Sequence, residues 1–145
     1  MNKSFNNYKY QISIVVVSLN SKEDFKETIN SIFDQTFLNY EVVIIDANSN
    51  DGTKNEISKL KKTNTKIVIE NDEGIYDAMN KGIKLADGEW TIFMNCGDIF
   101  YDRNVLNKVF SLKIEDKEII FADTIVSNNN LNYTSQGKYF SKKTI

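Results

Sequence analysis

The chain has 145 residues, of which 41% are hydrophobic and 26% charged, and its formal net charge is -2. This length and composition are typical of one soluble globular domain, and the near-neutral charge argues against a nucleic-acid-binding surface. Histidine is absent, which excludes Ser-His-Asp and Cys-His catalysis, and Cys96 is the only cysteine, so no internal disulfide can form. The sequence has no run that could span a bilayer and no signal-peptide pattern at its start, so we expect a cytoplasmic protein.

Strand-like and helix-like patterns alternate along the chain. Apolar, β-branched runs predict five strands, at residues 12–18, 41–46, 66–70, 90–94 and 118–126. Apolar residues three or four apart predict four helices between these strands, which begin near Ser21, Thr53, Ile75 and Asn104. Ser21 and Thr53 are each followed by an acidic residue three positions later, which predicts a capping box.

This order of elements predicts the fold class. Strands that alternate with helices indicate an α/β domain of three layers, with a mostly parallel central sheet and helices on both faces. In the third helix, Ile75, Met79 and Ile83 lie four apart and predict the buried face. From residue 127 onward the chain is polar and without period, so no further element is predicted there.

Short polar loops follow the first four predicted strands, and three of them are acidic. They read SLN at 18–20, DANSNDGT at 46–53, ENDEG at 70–74 and NCGD at 95–98. Each loop alone is typical of a turn or a helix start. Because the carboxyl ends of parallel strands meet at one edge of a sheet, the loops together indicate a site for a polar ligand, with a divalent cation held by oxygen ligands.

Four motifs in these segments resemble a known family. They are ISIVVVSLN, SIFDQTF, EVVIIDANSNDGT and NDEGIYDAMNKGIKLADGEWTIFMNCGD. With them the chain is similar to the N-terminal part of inverting glycosyltransferases of family 2, which have the nucleotide-diphospho-sugar transferase fold (GT-A). The resemblance implies transfer of a sugar from a nucleotide-diphospho-sugar, usually UDP-linked, to a saccharide or lipid-linked acceptor in bacterial surface polysaccharide synthesis.

The resemblance also implies roles for individual residues. It makes Asp98 the ligand of a divalent cation, Mn²⁺ or Mg²⁺, on the donor diphosphate, with Asn95 acting through a water molecule. The family's acidic motif usually holds more aspartates, and here Asn95 and Gly97 replace two of them. The donor-binding residues that the resemblance implies are Val17, Ser18, Asn20, Asp46, Asn48, Asp51, Asp72, Gly74 and Asn80. Among these, Asp46 would accept a hydrogen bond from the uracil imide, and Asp51 would lie near the ribose or order its loop.

The family's general base lies further along its chains, so the resemblance implies that the catalytic base is absent here. We expect residues 1–145 to form one truncated GT-A-like domain, with a nucleotide-sugar-binding half at 11–100 and an incomplete start of the acceptor half at 101–145. Such a chain would bind donor weakly and transfer poorly, with self-association through exposed apolar surface and peripheral contact with the inner face of the membrane as further expectations.

Two alternatives remain open at this point. One is a module that binds a nucleotide-sugar without transferring it, or an inactive remnant of the enzyme. The other is a different doubly wound domain, such as a receiver-type signalling module, but neither Lys81 nor Lys117 stands at the late strand end where that fold needs a lysine. A dinucleotide-dependent dehydrogenase is disfavoured because no G-x-G-x-x-G motif follows the first strand.

Overall fold

The structure is a computed structural model that describes residues 8–114, 116–128 and 131–142. These residues form strands and helices in the predicted alternation. The strands are β1 (Tyr10–Ser18), β2 (Tyr40–Asp46), β3 (Thr65–Ile69), β4 (Gly88–Asn95), β5 (Ile119–Asn128) and β6 (Leu131–Lys142). The helices are α1 (Lys22–Phe33), α2 (Thr53–Ser58), α3 (Ile75–Leu85) and α4 (Val105–Phe110). No helix in the described ranges is both long and apolar enough to cross a bilayer.

The strands form one mixed sheet in the order β3-β2-β1-β4-β6-β5. The first four strands along the chain are parallel, and β6 runs antiparallel to both of its neighbours. Core residues of α1, α2 and α4 cluster on one face of the sheet, and those of α3 lie on the other. The predicted α/β fold, with a mostly parallel sheet between helices, is therefore confirmed.

The central strand β1 contains an uninterrupted apolar run at residues 14–17, because both of its faces are covered by helices. Ile14 and Val16 are fully buried in the cluster that α1, α2 and α4 share. Val15 and Val17 point the other way, into the smaller cluster beneath α3. A strand covered on both faces is largely apolar because neither pleat meets water, and its buried polar residues Ser13 and Ser18 are each hydrogen-bonded.

The buried face of α3 matches the predicted one only at Met79, which is partly buried against the smaller cluster. The buried residues of α3 are Ala78 and Gly82, whereas Ile75 is 47% and Ile83 is 38% exposed. A Cβ atom at Gly82 would lie 2.3 Å from Cγ1 of Val15, so only glycine allows α3 to approach β1 this closely. Apolar spacing missed this face because close packing of a helix on a sheet selects small residues as well as large ones.

The expectation of no element after residue 127 is wrong. The described residues 131–142 form β6, which pairs antiparallel with β5 from Ile119↔Ser141 to Asn128↔Leu131. At its far end β6 also pairs with β4, at Trp90↔Lys142 and Thr91↔Ser141. This segment is ordered by cross-strand pairing on both sides, and such tertiary context overrides a weak local pattern.

The topology fixes where a ligand can enter. From β1 the chain passes through α1 to β2 on one side, and it reaches β4 on the other side of β1 through α3. The two crossovers therefore diverge between β1 and β4, on opposite faces of the sheet. In open α/β sheets a crevice forms at the carboxyl ends of the strands at such a switch point.

Candidate functional site

A cleft of about 250 Å³ lies at the carboxyl ends of the parallel strands. It receives residues from the ends of β1 and β4, from the loops after β2 and β3, and from the first turn of α3. The residues that line it are Val17, Ser18, Leu19, Ser21, Ala47, Asp72, Gly74, Ile75, Ala78, Asn95 and Cys96. The predicted convergence of four loops at one edge of the sheet is thus present in the fold.

The lining contains some of the residues that the sequence suggested and omits others. Five line the cleft: Val17, Ser18, Asp72, Gly74 and Asn95. Six are not in the lining: Asn20, Asp46, Asn48, Asp51, Asn80 and Asp98. The sequence did not assign the remaining lining residues to a ligand site, and these are Leu19, Ser21, Ala47, Ile75, Ala78 and Cys96.

Asp46 ends β2 behind the cleft wall and is fully buried. Its Oδ2 atom accepts the Ser18 hydroxyl at 2.7 Å and the Ser49 hydroxyl at 2.6 Å. Its Oδ1 atom accepts the backbone N–H of Ser49 at 2.9 Å. Three neutral donors therefore satisfy most of the acceptor capacity of this carboxylate. These bonds tie the end of β2 to the end of β1 and to the following loop. A contact between Asp46 and a uracil imide stays a prediction.

Asn20 and Asn48 hold the neighbouring loops in place. Both adopt left-handed backbone conformations, with φ of 48° and 61°, which asparagine tolerates better than most residues. The Asn20 carbonyl oxygen Oδ1 accepts the N–H of Asn50 at 2.8 Å, which joins the loops after β1 and β2. The Asn48 amide donates to Oδ1 of Asn71 at 3.1 Å, which joins the loops after β2 and β3.

Asp51 orders the starts of two helices. Its Oδ1 accepts the hydroxyl and the N–H of Thr53, at 2.6 and 2.9 Å, and its Oδ2 accepts the N–H of Lys22 at 2.9 Å. These bonds to Thr53, more than that to Lys22, lower the pKa of Asp51 to about 2. Ser21 is the N-cap residue of α1 as predicted, but its side chain makes no capping bond to the helix. The predicted cap at Thr53 is wrong, because Gly52 is the N-cap residue of α2.

The loop after β3 brings Asp72 and Gly74 to the cleft. Asp72 Oδ1 accepts the N–H of Gly74 at 3.0 Å, and Gly74 has a φ of 114°, which favours glycine. This turn places the first residue of α3 on the lining. Asn80 lies two residues beyond Ala78 on the same helix and is exposed, so the fold does not bring it to the cleft.

The motif NCGD forms a tight turn at the end of β4. The N–H of Asp98 donates to the carbonyl oxygen of Asn95 at 3.0 Å, and Gly97 takes a φ of 93°. The Asp98 carboxylate in turn accepts the N–H of Asn95 at 2.8 Å through Oδ2. The turn is also bonded to α1, because the Thr28 hydroxyl accepts the Gly97 N–H at 2.9 Å.

Cys96 contributes a neutral thiol to the cleft. Burial, together with the nearby carboxylates of Asp24, Asp46 and Asp98, raises the pKa of the thiol to about 12. The thiol donates to the carbonyl oxygen of Val17 at 3.4 Å, which ties the ends of β4 and β1. A neutral thiol is a poor nucleophile, and the sequence has no histidine that could activate it.

The donor set at the NCGD turn suits a weakly held hard cation. The described residues contain no group of three or more His, Cys, Asp or Glu side chains that could hold a metal ion. Asp98 supplies one carboxylate at the turn and Asn95, which is exposed, one amide oxygen. Mg²⁺ commonly binds proteins through one or two carboxylates and takes its remaining ligands from water and substrate phosphates. The residues therefore fit a cation that arrives with a phosphorylated ligand.

Comparisons with known proteins agree with this architecture. The sequence profile described as Glycosyl transferase family 2 matches residues 13–143. A PGL/p-HBAD biosynthesis glycosyltransferase of Mycobacterium bovis is 31% identical over 83% of this chain and 49% of its own length. The Escherichia coli enzyme named UDP-Glc:alpha-D-GlcNAc-diphosphoundecaprenol beta-1,3-glucosyltransferase WfaP is 26% identical over 88% of this chain and 56% of its own. The chain thus spans about half the length of these curated relatives.

Solved structures show the same fold. Residues 1–349 of TarS from S. aureus, in complex with UDP, superpose with a TM-score of 0.68 at 27% identity, over 75% of this chain and 34% of that one. The mannosyltransferase PcManGT of Pyrobaculum calidifontis, in complex with GDP-Man and Mn²⁺, gives a TM-score of 0.67 over 78% of this chain and 34% of that one. At 22% identity the second comparison concerns the fold alone.

Proposed function

The chain belongs to glycosyl transferase family 2, and we propose that it is the donor-binding part of an enzyme that transfers a sugar from a nucleotide-diphospho-sugar. The observation that carries this proposal is the cleft at the switch point, lined by the strand-end motifs on which the resemblance rests. In this proposal residues 11–100 bind the donor, and residues 101–145 begin an acceptor-binding half.

A UDP-linked sugar is the donor that the relatives favour. TarS residues 1–349 have been solved with UDP and with UDP-GlcNAc, and WfaP is named for its use of UDP-Glc. In this chain Val17, Ser18, Asp72 and Gly74 would contact the donor from the lining. The predicted residues Asn20, Asp46, Asn48 and Asp51 would act mainly by holding the loops that form the wall, and no contact is assigned to Asn80.

A divalent cation, Mg²⁺ or Mn²⁺, is the proposed cofactor. Asp98 would hold it, with Asn95 acting through water, and the phosphates of the donor would complete its coordination. When bound, such a cation neutralises the charge on a departing diphosphate. The chain's own part is to bind the base and ribose away from the reacting centre, since binding energy there can be used to position the sugar. We assign the general base to no residue of this chain.

The proposed acceptor is a saccharide or a lipid-linked saccharide in the synthesis of bacterial surface glycans. The WfaP name specifies a GlcNAc-diphosphoundecaprenol acceptor, and another relative, TuaG of Bacillus subtilis, is named for teichuronic acid biosynthesis. Because an undecaprenol-linked acceptor resides in a membrane, we place the protein in the cytoplasm at the inner face of that membrane.

Calorimetric titration with UDP tests the proposal. We expect wild-type protein to bind UDP more tightly with Mn²⁺ than without it, and we expect Asp98→Ala to lose the Mn²⁺-dependent part. Asp34→Ala, which changes an exposed carboxylate beyond the end of α1, is the matched control and should bind as wild type. Absence of UDP binding by the wild-type chain would refute the proposal.

Transfer by the chain alone is the second measurement. With UDP-glucose or UDP-GlcNAc and a lipid-linked GlcNAc acceptor, we expect little or no product, because no residue here is assigned as the base. Efficient turnover would show that the base lies within this chain. Tight donor binding without any turnover would agree equally with a module that only binds nucleotide-sugars.

A further inference from the structure

Ser49 lies in the loop after β2 and is 1% exposed. Its hydroxyl donates to Oδ2 of Asp46 at 2.6 Å and accepts the backbone N–H of Asn20 at 2.8 Å. A hydroxyl has one proton to donate and lone pairs to accept, so it can make both bonds at once. Ser49 therefore joins the end of β2 to the loop after β1.

The two loops are joined by further bonds around this hydroxyl. The N–H of Asn50 donates to Asn20 Oδ1 at 2.8 Å, and the N–H of Ala47 donates to the carbonyl oxygen of Ser18 at 2.9 Å. Ser18 also donates its hydroxyl to Asp46 at 2.7 Å. Since Ser18, Leu19 and Ala47 line the cleft, this network lies directly behind one of its walls.

We propose that Ser49 is a positioning residue for the donor cleft, which rests on the function proposed above. Its hydroxyl fixes Asp46 and Asn20 relative to each other, and these two residues fix the wall made by Ser18, Leu19 and Ala47. Ser49 is not in the lining, so in this proposal it makes no contact with the donor. It acts through the shape of the loop, because Asn20 is in a left-handed conformation that a lost bond would allow to relax.

The opposite end of the sheet provides a matched control. The hydroxyl of Ser13 donates to Oε1 of the buried residue Glu41 at 2.6 Å and accepts the backbone N–H of Gly88 at 2.8 Å. This is the same pair of bonds that Ser49 makes, but it lies at the amino ends of the strands, away from the cleft. Ser49→Ala and Ser13→Ala therefore remove equivalent interactions at two places.

UDP affinity, measured by calorimetry at a temperature where every variant is folded, separates the two roles. We expect Ser49→Ala to bind UDP about tenfold more weakly, because the buried Asp46 carboxylate and the Asn20 N–H each lose a partner beside the cleft. Ser49→Thr, which keeps the hydroxyl, should restore most of the affinity. Ser13→Ala should bind UDP as wild type, even if its thermal stability falls as much as that of Ser49→Ala.

The backbone amide signal of Asn20 in a ¹H–¹⁵N spectrum reports the bond itself. We expect it to shift in Ser49→Ala, to stay near its wild-type position in Ser49→Thr, and to be unaffected by Ser13→Ala. Equal UDP affinity of Ser49→Ala and wild type would overturn the inference alone, and so would equal losses in Ser49→Ala and Ser13→Ala. Failure of wild-type protein to bind UDP would overturn the proposed function together with this inference.

Discussion

Two buried acidic residues mark the two ends of β2 and are held in different ways. Glu41, near the start of the strand, is 1% exposed, and Asp46, at its end, is fully buried. Each accepts a hydrogen bond from the hydroxyl of a β1 serine that lies 28 residues earlier in the chain, Ser13 for Glu41 and Ser18 for Asp46. The same pair of strands thus carries the same serine–carboxylate contact twice.

The partners beyond the serine differ. Glu41 forms an ion pair with Lys66 at 2.9 Å, and Lys66 also pairs with Asp87 at 2.7 Å. Glu41 further accepts the backbone N–H of Asp87, which fixes the start of β4. The remaining hydrogen bonds of Asp46 instead come from the Ser49 hydroxyl and N–H, which belong to a loop beside the cleft.

This difference separates stability from function in one strand. A carboxylate bonded to a cation and to strand backbone holds the amino edge of the sheet in a single arrangement. A carboxylate bonded to the end of β1 and to a loop holds the carboxyl edge, where a ligand must enter and loops must keep a defined shape. We therefore expect changes at Glu41 to affect folding, and changes at Asp46 to affect folding and UDP binding together.

The largest loss of stability should follow Glu41→Ala. The change leaves Ser13 and the Asp87 N–H without their acceptor and removes the carboxylate that faces Lys66. Breaking a buried pair by removing one partner is strongly destabilising, and because Lys66 can still reach water we expect a loss of about 3 kcal/mol in the free energy of unfolding. Urea unfolding measures this, with Glu27→Ala on the exposed face of α1 as control.

UDP affinity of the folded Glu41→Ala protein should equal that of wild type. A loss of stability below about 1 kcal/mol, the typical net value of one hydrogen bond, would show that the amino-edge network is less important than its burial suggests. A marked loss of UDP affinity would remove the distinction between the two ends of β2.

Asp46→Asn should give a smaller loss of stability with a clear loss of binding. An amide has only one acceptor oxygen, so it cannot keep the two hydroxyl bonds that Oδ2 accepts and also accept the Ser49 N–H as Oδ1 does. We expect a loss of about 2 kcal/mol in stability and at least tenfold in UDP affinity. Glu41→Gln is the matched change at the other end and should lose stability alone; equal UDP affinities in the two variants would contradict this.

The sequence was sufficient to predict the fold because its pattern is local. The uninterrupted apolar run in β1 and the strand–helix alternation indicate a parallel sheet without any knowledge of contacts. The face of α3 was mispredicted because Gly82 is buried through closeness to Val15, which apolar spacing does not encode. Strand β6 was missed because its order comes from pairing with β4 and β5, which are distant in the chain.

The site was predicted in part for the same reason. Parallel topology brings strand ends together, so Val17, Ser18, Asp72 and Gly74 could be assigned to one edge from their positions alone.

Whether a polar side chain faces the cleft or another loop depends on long-range hydrogen bonds. Asp51 and Ser49 show this, since their partners Lys22 and Asn20 are about 30 positions away. The helix-capping pattern, which is also local, gave the N-cap position of α1 but not its bonds, and it was one residue late for α2, because Asp51 supplies the bonds at both helix starts.

Alkaline pH should weaken the amino edge in particular. Burial alone would lower the pKa of Lys66, but its hydrogen bonds to Asp87 and Glu41 outweigh this, and the pKa is raised above 10.5. A raised pKa in the folded state contributes stability that is complete below pH 10.5 and is lost as the pH rises beyond it. Melting temperatures between pH 9 and 12 should fall less steeply for Lys66→Met than for wild type; parallel curves would contradict the role of Lys66.

Acidic pH should weaken the carboxyl edge, and this is the smallest effect that we expect. The bonds that Asp51 accepts, first from the Thr53 hydroxyl, then from the Thr53 N–H and the Lys22 N–H, lower its pKa from 3.8 to about 2. A lowered pKa contributes stability that is present above pH 3.8 and is lost as the pH falls toward 2. Melting temperatures of wild type and Asp51→Asn should therefore differ at pH 5 and converge near pH 2, whereas Asp34→Asn should run parallel to wild type. The two edges of the sheet would not respond independently if the melting-temperature curve of Lys66→Met converged with that of wild type in acid. The same would follow if the curve of Asp51→Asn converged with that of wild type in alkali.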